Sequence, residues 1–326
     1  MDYTMLGNTG LRVSVAGLGC GGFSRLGLSN GKSEAEAASL VRRAVDLGVN
    51  FFDTAAAYGT EGVVGQGLAG IPRDQVVIAT KASIRKGEVT CTVEQILASL
   101  DNSLKELKTD YVDVFQLHGV PVDLYDYAKN TVVPALERER QKGKLRHLGV
   151  TETALSDIRT DMLQMAAADE VWQTFMLAFH MMHQIARRTV LPKTRAKRIG
   201  TLVMFAVRSI FVEPVRVAKV IGELAAAGLV SKSLAASADP LGFLIHQHGA
   251  SSLTDAAYRF ARHEPGIDVV LFGTGDAKHM EANIASLNRA PLPEADRKRL
   301  ADLFGHLLGV GLEGPGRPAK VETAAA

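Results

Sequence analysis

Four residues able to move a proton stand at the ends of short apolar runs: Asp53, Tyr58, Lys81 and His118. Asn50-Phe51-Phe52-Asp53 leads into Thr54-Ala55-Ala56-Ala57-Tyr58-Gly59, Thr80-Lys81 ends the run from Val76, and Leu117-His118-Gly119 ends the run from Val112. A free phenol, with a pKa of about 10, is a poor proton donor or acceptor at neutral pH. An ammonium beside it stabilises the phenolate and draws that pKa down. In a dry cleft the ammonium needs a carboxylate, which Asp53 supplies. His118 can hydrogen-bond a substrate oxygen or help move the proton. The group suits protonation of a carbonyl oxygen while its carbon receives hydride, with Tyr58 as general acid. Each residue also has a plain structural reading: Asp53 as a helix cap, Tyr58 as a half-buried aromatic, Lys81 as an ion-pair partner, His118 as a satisfied core histidine. Their joint placement is what points to chemistry.

Such groups meet only if their strands are neighbours, about 4.8 Å apart, ending on one rim. Eight short apolar runs recur, at residues 15–19, 50–53, 76–80, 112–117, 145–150, 171–175, 201–207 and 268–272. Several are continuously apolar, as strands buried on both faces of a parallel sheet are. Helical patterns separate them. Ser33 with Glu36 forms a capping-box pair ahead of 34–47, and Gly48 is the stop signal. Residues 92–107 carry Ile96, Leu97, Leu100, Leu104 and Leu107 at helical spacing, and 253–263 and 276–287 read likewise. A hairpin, 3–6 with 11–14 around Gly7-Asn8-Thr9-Gly10, precedes the first run.

This alternation leaves a (β/α)8 TIM barrel or a doubly wound open sheet. The open sheet calls for G-x-G-x-x-G between its first strand and helix, with an acid about 20 residues on. Gly17-Leu18-Gly19-Cys20-Gly21-Gly22 misplaces the third glycine, and no helix starts there. The barrel is therefore expected, with its active face at the strand ends. The expected layout is one barrel domain over 1–312, a long insertion after the seventh strand (208–251), and a disordered tail over 313–326.

Composition narrows the class. The 326 residues are 47% hydrophobic and 22% charged, with a formal charge of +2. That balance argues against nucleic acid or anionic lipid as the main partner. Cys20 and Cys91 are the only cysteines and lack metal-ligand spacing, which fits a reducing compartment and argues against zinc. No signal-peptide pattern opens the sequence, and no apolar run nears the ~18 residues of a membrane span. The expectation is a cytoplasmic protein acting on a small molecule, its oligomeric state unread. The basic stretch Arg187, Arg188, Lys193, Arg195, Lys197 and Arg198 reads either as a solvated helix flank or as the rim of an anion site.

The element from Gly48 to Gly59, with Ala79-Thr80-Lys81 and Phe115-Gln116-Leu117-His118, resembles the aldo-keto reductases, and the resemblance runs from Leu6 to about Leu287. It implies a (β/α)8 barrel that reduces aldehydes and ketones with NAD(P)H, without metal or flavin. In that reading Tyr58 is the general acid, Lys81 and Asp53 tune it, and His118 orients the carbonyl.

The cofactor half departs more from the family pattern. The segment from Val270 through Gly273-Thr274-Gly275-Asp276, followed by His279 and Asn283, looks like the family's phosphate-and-adenine segment. A Gly-rich turn into a helix N-terminus suits a phosphate. Relatives place Lys or Arg where Gly273 and His279 stand; Lys278 is the candidate substitute that would favour NADPH over NADH. Where relatives hold the nicotinamide amide with Ser-Asn, this chain has Thr151-Glu152, and an ionised glutamate accepts but cannot donate. Relatives carry Gln three residues before a Tyr-Asn pair whose Tyr stacks on nicotinamide. The best fit makes Phe179-His180 that pair, with Phe179 stacking, and leaves Met176 at the Gln; a register using Gln173 puts Met176 where the ring should be. Ala206 and Arg208 fall on the cofactor side after strand seven, Arg208 toward the pyrophosphate, and Cys20-Gly21 lies near the nicotinamide ribose.

The leading expectation is an NADP-dependent carbonyl reductase. The alternative is a nicotinamide-binding redox sensor or regulatory subunit with little turnover, motivated by Glu152 and Met176, although a pure binder has no need of Tyr58 and Lys81 together. Schiff-base chemistry on Lys81 explains the neighbouring Tyr58 and Asp53 less well than a charge partnership does. Substrate identity is not readable; Phe23, Trp172, Phe179 and Phe211 give an apolar lining if they face the site.

Overall fold

The structure, a computed structural model, describes residues 1–312 and 322–323. Eight parallel strands close into a barrel: β1 (Ala16–Gly19), β2 (Phe51–Asp53), β3 (Val77–Ser83), β4 (Val112–His118), β5 (Leu145–Thr151), β6 (Thr174–Ala178), β7 (Gly200–Met204) and β8 (Val269–Phe272). Each pairs with the next, and β8 pairs with β1. This is the (β/α)8 TIM barrel. Alternate residues fill the interior: Phe51, Val77, Ala79, Val114, Met176, Leu202 and Val269 form one buried cluster. Their neighbours Phe52, Ile78, Phe115, Phe175, Val203 and Val270 pack outward under the helices. Strands apolar on both faces explain the runs without alternation.

Local signals set the first helices. Ser33 caps α1 (Glu34–Asp46), and Thr92 caps α3 (Val93–Leu107), which follows α2 (Glu61–Gly67); both capping helices show reciprocal capping boxes, with Glu36 and Gln95 closing back. The N-terminal hairpin, Tyr3–Met5 with Arg12–Ser14, carries Leu6, Leu11 and Val13 into the interior cluster and fills one end of the barrel. Asp268 ties it down, accepting from the N–H groups of Gly7 and Thr201 at 3.0 Å each. The C-terminal ends of the strands lie at the opposite rim.

Several strand boundaries differ from expectation: β3 runs on to Ser83 and β6 to Ala178, and two further shifts have a visible cause. β6 begins at Thr174 rather than Val171, because Trp172 turns away to donate to the Tyr125 hydroxyl (3.1 Å) and the Gln173 side chain accepts from Leu148 N–H (2.9 Å). β7 ends at Met204 because Phe205 takes a left-handed φ of 67°, which no strand continues. The insertion after β7 is largely helical, with α4 (Pro214–Ala226) and short turns at Lys232–Ala235 and Gly242–Leu244 before α5 (Leu253–Arg262). After β8 come α6 (Ala277–Leu287) and α7 (Glu294–Phe304), then Leu307–Leu308 paired antiparallel with Glu322–Thr323. Apart from that pair, the expected tail over 313–326 lies outside the described residues. In the basic stretch, Arg187 grips Glu264 at 2.5 and 2.7 Å and Lys197 pairs with Glu170 at 2.7 Å. Both cations thus serve the helix layer. Among the described residues no helix is long and apolar enough to cross a membrane.

Candidate active site

At the open rim β2, β3 and β4 end side by side: Asp53 is in register with Ala79, Lys81 with Gln116, and Ser83 with His118. Counting by twos from Val77 and Ala79 puts Lys81 on the inner face; from Val114 it puts Gln116 and His118 there. Lys81 Nζ is fully buried and donates to both carboxylate oxygens of Asp53 and to the carbonyl of Thr54, each at 2.8 Å. Tyr58 arrives on the helical turn Ala56–Tyr58, which Gly59 ends at a φ of 64°. Lys81 Nζ lies 5.0 Å from the centre of the Tyr58 ring. The Tyr58 hydroxyl stands 3.5 Å from His118 Nε2, and the two rings meet edge-on, 5.5 Å apart at 88°. All four residues converge on one wall of the rim.

Burial and pairing together set their charge. It pulls the Lys81 pKa down, but Asp53 and then Tyr58 outweigh it and the net direction is up, so the lysine stays an ammonium. For Tyr58 burial wins: the phenol is raised above its usual value against the lowering pull of Lys81, part of which Asp53 offsets. The expectation of a net lowered phenol pKa is therefore corrected, because a dry site disfavours the phenolate more than the ammonium favours it. The phenol keeps its proton at neutral pH, the state a donor needs. His118 is pushed down to about 3, by burial first and the Lys81 charge second, and is a neutral imidazole.

The residues expected to hold a cofactor fall into three groups. Cys20 and Gly21 leave β1 beside Tyr58; Cys20 is fully buried, and burial raises its thiol pKa. The turn Gly273-Thr274-Gly275 leaves β8 and folds onto Gly27, where a Cβ on Gly275 would stand 2.6 Å from the Gly27 Cα. Asp276 caps α6 by accepting from His279 N–H at 2.9 Å, so the chain's own carboxylate already meets that helix N-terminus. Lys278 and His279 are exposed on the first turn and Asn283 is half-buried beyond them.

The third group, on β5 to β7, departs from expectation. Thr151 Oγ1 accepts from Gly119 N–H at 2.6 Å. Glu152 is buried; its Oε1 accepts from Ala178 N–H at 2.5 Å, and its Oε2 has no hydrogen-bond partner among the described residues. Burial pushes this carboxyl up to about 8. A protonated carboxyl can donate, which removes the objection to glutamate at this position. Phe179 is a correction: its ring stacks on Phe260 of α5 (5.5 Å, 6°), with the Arg187 guanidinium 5.6 Å from its centre. Counting from interior Met176 makes Ala178 and His180 the inward positions, so Phe179 faces the helix layer and cannot stack on a nicotinamide. Gln173 lies at the far end of β6, so neither register supplies the stacking ring. Ala206 is fully buried. Arg208 donates to the carbonyl of Leu312 at 2.9 Å and lies 4.1 Å from the centre of the Phe205 ring. Of the expected apolar lining, Phe23 is exposed beside Arg208, whereas Trp172 and Phe211 are buried.

Two further residues belong here. Gln116 donates to Asp53 Oδ1 at 3.5 Å; the period of two along β4 marks it. His180, which the sequence offers as the second member of the Phe179-His180 pair, is fully buried, with Nδ1 accepting from Met182 N–H at 3.2 Å and Nε2 unpartnered among the described residues. The unpaired Glu152 carboxyl oxygen and His180 Nε2, both buried, fit the polar amide of a nicotinamide cofactor. Among the described residues no three His, Cys, Asp or Glu side chains gather as metal ligands would.

Comparison with known proteins agrees with this fold. The model of the Aldo/keto reductase family matches residues 17–304. L-galactose dehydrogenase of Arabidopsis thaliana is 33% identical over 208 residues, 62% of this chain and 64% of that protein. Aldo-keto reductase YhdN of Bacillus subtilis (strain 168) is 29% identical over 210 residues, 62% of this chain and 61% of that protein. Each match spans less than two thirds of the relative. The holo form of aldo-keto reductase AKR11C1 from Bacillus halodurans superposes with a TM-score of 0.71 at 21% identity, covering 93% of this chain and 96% of that one. The chain belongs to the aldo/keto reductase family.

Proposed function

We propose that the protein reduces an aldehyde or ketone to an alcohol with a nicotinamide dinucleotide, NADPH in preference to NADH, and that Tyr58 is the general acid. The observation that carries this is the buried ammonium of Lys81, held by Asp53 and Thr54 against the ring of a protonated Tyr58. The cofactor, when bound, supplies hydride to the carbonyl carbon. The Tyr58 hydroxyl gives its proton to the carbonyl oxygen, and the Lys81 ammonium stabilises the phenolate left behind. Asp53 fixes the ammonium and balances its charge. Neutral His118, adjacent to the Tyr58 hydroxyl, hydrogen-bonds the carbonyl oxygen and orients it.

Gly21, Thr151, Glu152, Gly273, Thr274, Gly275 and Asn283 are the residues we assign to hold the dinucleotide. Exposed Lys278 supports the preference for a 2′-phosphate. Replacing Tyr58 by Phe tests the assignment: turnover of small aldehydes with NADPH is expected to fall by about 10²–10⁴-fold, and wild-type turnover in that variant removes the mechanism. One observation favours a second reading, a cofactor-binding sensor with little turnover: Leu308 and Leu312 pack over the β5–β7 side of the rim. Tight NADPH binding with turnover near zero across an aldehyde panel would select it.

A further inference from the structure

Past α7 the chain runs back across the open rim. Leu308 and Leu312 are fully buried in a cluster with Ala154, Ile158, Ala178 and Ile185, against which Met204 and Phe205 pack. Polar contacts hold the same stretch: Gly309 N–H donates to His183 Nδ1 at 3.2 Å, and the Leu312 carbonyl accepts from Arg208. Gly309 and Gly311 take left-handed φ values of 75° and 69°. A Cβ on Gly311 would stand 3.2 Å from His180 and from Ile210. This stretch lies beyond residues 17–304 matched by the family model.

Its floor is incompletely paired. Glu152 Oε2 and His180 Nε2 are both buried without a partner among the described residues. Because His180 Nδ1 accepts from a backbone N–H, its neutral ring carries the proton on Nε2, and that donor is the one left over. Burying unpaired polar groups is unfavourable, so apolar packing holds the stretch down while the groups beneath oppose it. A primary carboxamide presents both an N–H and a C=O, which a carboxyl and an imidazole N–H can take up. A pyrophosphate presents anionic oxygens suited to Arg208.

The geometry points to residues 307–312 as a strap that occupies the β5–β7 side of the cofactor trough, so that a nicotinamide dinucleotide binds only as the strap lifts. This rests on the reading of the rim as a nicotinamide site. A ligand whose competent state is partly populated binds weaker by that fraction, so loosening the strap tightens binding.

The test combines hydrogen exchange of the 306–312 peptide in the full chain, with and without NADPH, and fluorescence titration of wild type, Leu312→Ala and Gly311→Ala. Exchange at 310–312 is expected to speed up when NADPH binds, and both variants to bind NADPH about three- to tenfold tighter. If NADPH binds wild type yet exchange there is unchanged or slowed, the strap is overturned and the catalytic reading stands; the exchange arm does not depend on the variants folding. Unchanged or weaker binding by folded variants overturns it equally. If no form of the chain binds NADPH or NADH, the strap and the nicotinamide reading fall together.

Discussion

Gly21 lies so close to Tyr58 that a methyl group on its α-carbon would stand 2.5 Å from the ring carbon Cε2. No real Cβ tolerates that approach to a ring, so Gly21→Ala must push the half-buried phenol away from Lys81 and His118. We expect kcat to fall at least about tenfold, since misplacement by ~1 Å can cost far more, while the melting temperature drops only a few degrees. Steady-state kinetics with thermal unfolding decides it; an unchanged kcat would show that the ring position is not critical.

Lys81 and Asp53 form a buried pair in which each partner neutralises the other. Asp53→Ala alone strands an ammonium and is expected to cost about 3–5 kcal/mol of stability. The double variant Asp53→Leu/Lys81→Met should regain much of that loss and show no turnover. Urea unfolding of the three proteins measures both effects. A single variant within about 1 kcal/mol of wild type contradicts the pairing.

Glu152 holds its proton in the folded chain up to about pH 8, against an ordinary value of 4.5. Between those limits the folded chain binds a proton that the unfolded chain has released, so this residue's contribution is fully present below 4.5 and is lost as pH rises through 8. The loss is on the order of several kcal/mol. Asp268, raised to about 6, slopes the same way over a narrower range. Glu152→Gln should therefore flatten the stability profile between pH 5 and 8 relative to wild type. Parallel profiles would contradict a buried, protonated Glu152.

Lys278 is exposed on the first turn of α6. Lys278→Ala is expected to weaken NADPH binding about fivefold, an effect of ~1 kcal/mol for an exposed charge, and to leave NADH binding unchanged. Parallel titrations read the difference, and equal losses for both dinucleotides remove the 2′-phosphate assignment.

The barrel and the gathering of Asp53, Tyr58, Lys81 and His118 at its rim were legible for a local reason. Asp53, Lys81 and His118 each close an apolar run, and the period of two along a strand fixes which way a side chain points. The β6 side failed for the same reason. Trp172 and Gln173 look like strand residues, but their side chains serve Tyr125 and Leu148, and β6 starts later. A shift of one position in such a strand exchanges its faces, so Phe179 belongs to the helix layer. The contact of Arg208 with Leu312 spans 104 residues, and no spacing in either segment announces it. The direction of the Tyr58 shift depends on how dry the pocket is, a property of packing rather than of residue type.

Asp53, Tyr58, Lys81 and His118 come from β2 to β4 and the turn after β2, while Glu152, His180, Arg208 and residues 307–312 come from β5 onward. In the reading proposed above, reactivity and admission are therefore assigned to separate walls built by different stretches of chain. On that assignment, mutation could reshape what the molecule lets in, and how fast it lets go, without disturbing Tyr58 and the groups around it.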